Sequence, residues 1–281
     1  MEPARIRFRL LKNKLATAAI IALAFLPTIP LAIILINLFI KGITAINWEF
    51  LTSLPKPVGE EGGGVANAIV GTFILVLLAS IISVPIGIMA GIYLSEYGGR
   101  RLPDVVRVAA DILQGVPSIV IGIVAYTWVV VPMGRFSALA GGVALALMMI
   151  PVIVRTTEEV LILIPRSIRE ASLALGVPQW RTILKVVLPT GMVGVTTGIL
   201  ISVARVAGET APLLFTAFGN PFWSHKLTEP INALPLVIFN YATSPYPDWW
   251  RQAWGASIIL ILLVLSLNIG SRILAKRIAG D

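Results

Sequence analysis

The stretch from Pro165 to Pro189, PRSIREASLALGVPQWRTILKVVLP, is polar in a chain that is otherwise mostly hydrocarbon, and it joins two long apolar segments. Ser167 and Glu170 have the S-x-x-E spacing of a capping box, which predicts a helix starting near Ile168. Gly176 suits a left-handed stop, and Pro178 suits the first turn of a second helix. That second helix is expected to end before Pro189. Two short, firmly punctuated helices between membrane spans offer a surface on which another protein can dock.

The surrounding composition sets the class. The chain has 281 residues, 57% of them hydrophobic and 13% charged, with a mean hydropathy of +0.91. Soluble domains run about 25% charged, so this is an integral membrane protein. Apolar runs approaching or exceeding the ~20 residues of a spanning helix fall near 17–40, 66–94, 105–131, 138–155, 191–217 and 254–275. Six spans put both termini on one side.

Sixteen basic residues lie on that side: Arg5, Arg7, Arg9, Lys12 and Lys14, then Arg100, Arg101 and Arg107, then Arg155, Arg166, Arg169, Arg181 and Lys185, and finally Arg272, Lys276 and Arg277. Only Lys41, Lys56, Arg135, Lys226 and Arg251 lie on the other. The positive-inside rule makes the basic side cytoplasmic. The expected fold is all-α with six transmembrane helices and both termini cytoplasmic. Residues 1–16 form a basic cytoplasmic N-terminus, 17–64 the first span and outer loop, 65–277 the main transmembrane unit, and 278–281 a cytoplasmic tail. The net charge of +8 follows from this topology and from anionic lipid headgroups, so nucleic acid is not an expected partner.

Several function classes drop out. The first apolar run continues to Ile40, too long for the apolar region of a cleaved signal peptide. With no cysteine, disulfides, thiolate metal sites and cysteine nucleophiles are excluded. No G-x-x-x-x-G-K-S/T loop exists, so any ATP must be hydrolysed by another chain. His225, the single histidine, has no metal-ligand companions in its loop. Neither catalysis nor a cofactor or metal of its own is expected.

The outer loops carry weaker signals. Gly62-Gly63-Gly64 reads as a mobile hinge in the loop 41–65. The loop 218–252 is rich in proline and aromatics, whose rings suit the headgroup level. Within it, Ile231 to Tyr241 is about half the length of a span and is expected to be an interfacial helix or a cap over an outer cavity.

The sharpest chemistry lies inside the membrane. Read as one helix over 191–217, the fifth segment has Arg205 at its midpoint and Glu209 one turn further out. At about 100° per residue, Gly194, Gly198, Ser202, Arg205 and Glu209 share an arc of about 80°. A central arginine costs about 2.5–3.5 kcal/mol and therefore needs a reason. One reading is an i,i+4 pair that neutralises itself beside small residues allowing close helix packing. The other is an anion pathway, because a guanidinium presents a planar fork of donors to oxyanions. Pro212 is expected to kink the helix beyond the pair. In the third segment Asp111, Gln114, Gly115, Ser118 and Gly122 share one face, with a kink expected at Pro117. Asp111 and Arg155 lie at comparable depth, so an interhelical pair between them is expected to serve as a structural tie, a gate latch or a substrate contact.

Two resemblances then narrow the reading. Glu170-Ala171-Ser172, Gly176 and Leu188-Pro189, with nine residues between Gly176 and Val186, resemble the EAA loop of ABC importer permeases. Ser172 departs from the usual Ala, and Val186 from the usual Ile. The resemblance implies a type I ABC importer permease fold in a bacterial or archaeal cytoplasmic membrane. It also implies a coupling helix seated in a groove of a cytoplasmic ATPase. Glu170, Ala171 and Gly176 would shape that helix, and Leu173, Leu175 and Trp180 would supply apolar contacts. A purely capping role for Glu170 is compatible with this.

The second likeness runs over roughly residues 60 to 277. The segments Leu113-Gln114-Gly115-Val116-Pro117-Ser118-Ile119-Val120 and Ala204-Arg205-Val206-Ala207-Gly208-Glu209-Thr210-Ala211-Pro212-Leu213-Leu214 resemble the A-type permeases of bacterial phosphate importers, as does Leu234-Pro235-Leu236-Val237-Ile238-Phe239. This implies roles for Arg205 and Glu209 in phosphate passage. It also implies a second, C-type permease, two ATPase copies that bind ATP and magnesium, and an extracytoplasmic phosphate-binding protein. The rivals are a permease for sulfate, molybdate or phosphonate, a stand-alone secondary anion transporter, and a scaffold with no pathway.

Overall fold

The structure, a computed structural model, describes residues 3–60, 62–97, 101–224 and 226–279. His225 and Arg100 lie outside the described residues. Among the described residues the regular structure is helical, apart from an isolated bridge between Phe218 and Ile231.

The first apolar run forms two helices, α1 (Pro3–Phe25) and α2 (Thr28–Gly42). They are broken at Leu26-Pro27, where the single span over 17–40 was expected. Thr28 Oγ1 donates to the Phe25 carbonyl across the break. The segment Phe8–Ala45 stands at the periphery with its apolar side chains outward.

After α3 (Trp48–Thr52) comes α4 (Ala66–Glu96). The glycine-rich turn between them is pinned where a mobile hinge was expected. The Gly64 N–H donates to Leu54 O, the Val65 N–H to Phe50 O, and Gln252 Nε2 to Gly62 O. Lys56 pairs with Glu49 at 3.2 Å, and its hydrogen bond, followed by one from the Gly63 backbone, holds the Glu49 carboxyl below the usual range.

The core is built on α8 (Ala138–Ile162), started by Ser137, whose hydroxyl accepts from the Ala140 N–H at 3.1 Å. It is packed between α4 and α11 (Leu188–Val206). A Cβ on Gly91 of α4 would come within 2.5 Å of the Thr157 Cβ, and one on Gly198 of α11 would collide with Thr156 Oγ1. In lipid no hydrophobic force draws helices together, so close backbone approach through small residues supplies the dispersion contact that does. Gly194 likewise meets Val160 of α8. The glycines of the small-residue arc thus serve helix packing.

Two further spans differ from a straight reading. The third divides into α5 (Arg101–Gly115) and α6 (Ser118–Ala125), bent by 107° at Val116-Pro117. A proline whose preceding residue is driven out of the α region makes a break, so the residues on either side share no face. The fifth ends at Val206, and a short α12 (Ala211–Leu214) follows after four residues. Conversely, the helix expected to stop before Pro189 runs through it. Between α10 (Gln179–Thr182) and α11 lies a π-helical turn, Ile183–Val187, whose extra residue relieves the clash of the proline ring with the preceding turn. The same device precedes Pro132: the π turn Tyr126–Val130 sits between α6 and α7 (Val131–Met133).

The half-length segment in the outer loop is α13 (Leu234–Ala242), nine residues long and no crossing. Leu234 and Leu236 are fully buried, the helix packs on α4 and on α14 (Pro247–Ala279), and Thr72 Oγ1 of α4 accepts from the Leu234 N–H at 2.9 Å. Its buried face is wedged into the bundle, while Val237, Asn240 and Tyr241 wall an outer cavity.

Because Gly198 lies against the Thr156 side chain, Gly198→Leu should separate α11 from α8 and destabilise the fold by about 1–3 kcal/mol. A lowered midpoint of thermal unfolding in detergent, against an unchanged Gly270→Leu control in open space, checks this.

Candidate functional site

The two broken helices meet. α12 packs on α6, and Gly122 lies so close to Pro212 that a Cβ there would come within 2.7 Å of the Pro212 Cα. Non-helical backbone at membrane depth is tolerated where protein or a wet cavity satisfies it. Paired discontinuous helices are a common way for a transporter to present polar groups there. Arg205 lies in the last turn of α11 with its side chain exposed, and Glu209 lies half-buried in the break.

The Arg205–Glu209 pair, one of the two readings of this segment, is not formed among the described residues. The helix ends at Val206, so the two residues lose their i,i+4 relation, and the Glu209 N–H bonds to Val206 O instead. Arg205 therefore keeps its donors available. Ser202 is buried inside the subunit and its hydroxyl has no partner, whereas Arg205 is exposed.

A second charged group ties α5 to α8. Arg155 Nε contacts Asp111 Oδ1 at 3.0 Å, which realises the interhelical pair expected from their depth. Arg155 Nη1 also donates to Glu158 Oε2 at 3.1 Å, and Glu158 accepts from Arg107 Nε through its other oxygen. Arg107 contacts Asp104 at 2.9 Å and donates to the Leu94 carbonyl near the end of α4. Arg107 and Asp111 of α5 thus face α8, with Asp104 exposed beside Arg107, while Leu102, Val105 and Ile112 point outward. Glu158 is almost fully buried, and two guanidiniums offset the desolvation of its charge.

The cytoplasmic loop holds α9 (Arg166–Ala174) and α10. α9 begins at Arg166, two residues ahead of the expected start, and no capping box forms: Pro165 occupies the cap position without a side-chain bond. The stop is as read. Gly176 has φ +78°, its N–H donates to Leu173 O, and the Val177 N–H donates to Ser172 O, the paired bonds of a Schellman motif. Pro178 caps α10 from just outside it. The Ser172 and Thr182 hydroxyls, 2.9 Å apart, lock the two helices together. Glu170, Ala171, Leu173, Leu175, Gly176 and Trp180 are all exposed, Leu175 at 83%. Such apolar exposure on a structured surface marks an interface.

Comparison with known proteins bears on what this arrangement is. Residues 83–280 match the family described as "Binding-protein-dependent transport system inner membrane component". The phosphate transport system permease protein PstA of Yersinia pestis is 46% identical over 264 residues, 94% of this chain and 90% of that protein. The PstA of Xylella fastidiosa (strain Temecula1) is 45% identical over 243 residues, 86% and 84% of the two chains. A crystal structure of a bacterial ABC transporter involved in alginate import is similar in fold, with a TM-score of 0.63 at 13% identity, covering 95% of this chain and 98% of that one. The chain belongs to the binding-protein-dependent inner membrane component family. It is a multi-pass inner membrane permease subunit with an ABC importer fold.

In this permease the sequence reading missed the group that anchors the docking loop. Arg169 pairs with Glu96, the last residue of α4: its Nε and Nη2 both donate to Oε1, at 3.0 and 2.8 Å, and Nε also reaches Oε2 at 3.3 Å. It also donates to Leu161 O in the last turn of α8 at 2.8 Å and to Ile164 O just beyond that helix at 2.7 Å. One guanidinium thus joins the ends of two spans to α9, and Glu96 is nearly buried. Arg107 was read only as a topology charge, and Glu158 was not singled out at all. The i,i+3 spacings of Arg107 from Asp104 and of Glu158 from Arg155 were the available signal.

Two outcomes follow from this geometry. Glu158→Gln leaves Arg107 and Arg155 facing a neutral amide and should cost about 3 kcal/mol, read as a lower unfolding midpoint. Arg169→Lys replaces three spread nitrogens with one, which cannot match the directions of the carboxylate and both carbonyls as the guanidinium does. With no native cysteine to interfere, a spin label on Leu175→Cys should report faster motion in the Arg169→Lys background.

Proposed function

We propose that this chain is one permease half of an ATP-driven importer that moves inorganic phosphate into the cell. The observation that carries the reading is Arg205: an exposed guanidinium without an ion-pair partner among the described residues, next to the break between α11 and α12. A guanidinium fork matches the tetrahedral oxyanion, and a single such contact in an open site binds weakly enough for release. Relatives over 40% identical across most of the chain are named phosphate transport system permease proteins, which supports phosphate over sulfate, molybdate or phosphonate.

The rest of the machine lies in other chains. A second permease, of the C-type, completes the pathway across the exposed face that carries Arg205. An extracytoplasmic binding protein delivers phosphate to the outer surface, where Lys56, Asn220, Asn232 and Tyr241 line a cavity of about 530 Å³. Two ATPase subunits bind ATP and magnesium, and α9 seats in a groove of one of them through Leu173, Leu175 and Trp180. When the ATPases close, α9 is drawn with them. Arg169 passes that displacement to α4 and α8, so the bundle switches between inward- and outward-facing states as packed units. Glu209 sits near enough in sequence to tune the field at Arg205, and the Asp111–Arg155–Glu158 group holds α5 to α8 as a latch in one of those states.

In cells carrying all subunits, Arg205→Gln should cut phosphate uptake at least tenfold with unchanged membrane abundance; full uptake in that variant would overturn the assignment of Arg205. Separately, Glu170→Lys and Gly176→Trp should lose co-purification of the ATPase. Retention of the ATPase by both would point to a docking surface elsewhere.

A further inference from the structure

Outside the site just described, a groove of about 480 Å³ opens on the lipid-facing flank where α2, α13 and α14 converge. Its volume lies in the range of roughly 300–1,000 Å³ typical of small-molecule sites. Trp250, Ala253, Trp254 and Ser257 follow the i, i+3, i+4, i+7 spacing of one helix face, and Ile238 and Ala242 form the opposite wall. The α2 end is pressed hard against α14: a Cβ on Gly42 would approach the Trp254 carbonyl oxygen to 2.6 Å. The floor of the groove is therefore rigid and its walls are apolar.

At the mouth sits one charge. The Lys41 ammonium lies over the Trp254 ring at 5.2 Å, a cation–π contact that orients it. Among the described residues it has no acidic partner. Trp250, one turn nearer the start of α14, is anchored by its Nε1–H, which donates to Ser244 O at 2.6 Å. Lys41 follows the apolar run of the first span on the side poorer in basic residues, which places it at the outer headgroup level. A slot that is apolar along its length and cationic at the headgroup level matches an amphiphile with an anionic head.

We propose that this groove binds a single glycerophospholipid of the outer leaflet, its phosphate on Lys41 and an acyl chain against Ile238, Ala242 and Ala253. Charge complementarity names the head, since the ammonium has no carboxylate of its own. The apolar walls name the tail, since a free phosphate ion would leave them wet. The bound lipid would fix the peripheral α2 to α13 and α14, the elements that also wall the outer cavity. The inference is independent of which anion the permease carries.

The test is native mass spectrometry of the assembled importer, purified in mild detergent from membranes rich in phosphatidylglycerol. The intact complex should retain one phospholipid that Lys41→Gln reduces at least fivefold. Ala242→Trp, which fills the exposed wall of the groove while keeping the charge, should reduce it equally. Equal retention in all three proteins would overturn the proposal. So would efficient cross-linking of a photo-reactive maleimide carried on Lys41→Cys to the second permease, which would show protein in the groove. A signal replaced by inorganic phosphate instead of lipid would overturn it as well.

Discussion

The close contact of α8 with α4 on one side and α11 on the other is the constraint on which everything else rests. Lipid tails are as apolar as leucine, so nothing but packing and polar contacts keeps these helices together. The contact uses glycine where the backbones pass, Gly91 against Thr157 and Gly198 against Thr156. Because α8 is fixed in this way, its cytoplasmic end becomes a stable platform. Arg155 and Glu158 project from it toward α5, and its last carbonyls receive Arg169. The outer end of the bundle is fixed differently, by α13 wedged on α4 through Thr72.

On that platform the chain places two kinds of element. Some are held fast: α9 is joined to α4 and α8 through the Arg169–Glu96 pair, and to α10 through Ser172 and Thr182. Others are interrupted: α5 and α6 at Val116-Pro117, α11 and α12 at residues 207–210, and π turns ahead of Pro132 and Pro189. A π turn carries one residue more than the α-helical period and is a natural place for a helix to yield. In the proposed importer the held elements would transmit force and the interrupted ones would change shape, the division of labour that alternating access requires. The exposed Arg205 stands at one of the interruptions.

Much of this was legible in the sequence. Hydropathy and basic-residue asymmetry gave the spans and their sidedness. Gly176 gave its left-handed stop, because few residues other than glycine tolerate φ near +80°. The exposure of Leu173, Leu175 and Trp180 agrees with what the resemblance to an EAA loop implied, and the Asp111–Arg155 contact follows from their depth. What misled was continuity. Hydropathy does not distinguish one long helix from two apolar helices at an angle, so the breaks at Pro117 and after Val206 read as kinks and the Arg205–Glu209 relation was misjudged. At Pro189 the error ran the other way, since a π turn lets a helix pass a proline that local rules treat as a stop. The Ser167 capping box failed because Pro165 had already set the helix start. Arg169 and Glu158 were invisible for a different reason: their partners come from distant segments, and only the tertiary structure brings those ends together.

The central claim is that this bundle passes phosphate under the control of ATP hydrolysed elsewhere. Its most direct test is uptake of radiolabelled phosphate into proteoliposomes that contain this chain with its second permease and ATPase, supplied with loaded binding protein outside and ATP inside. The account predicts accumulation that requires ATP and survives a hundredfold excess of sulfate. Accumulation without ATP, or loss of the signal to sulfate as readily as to unlabelled phosphate, would contradict it.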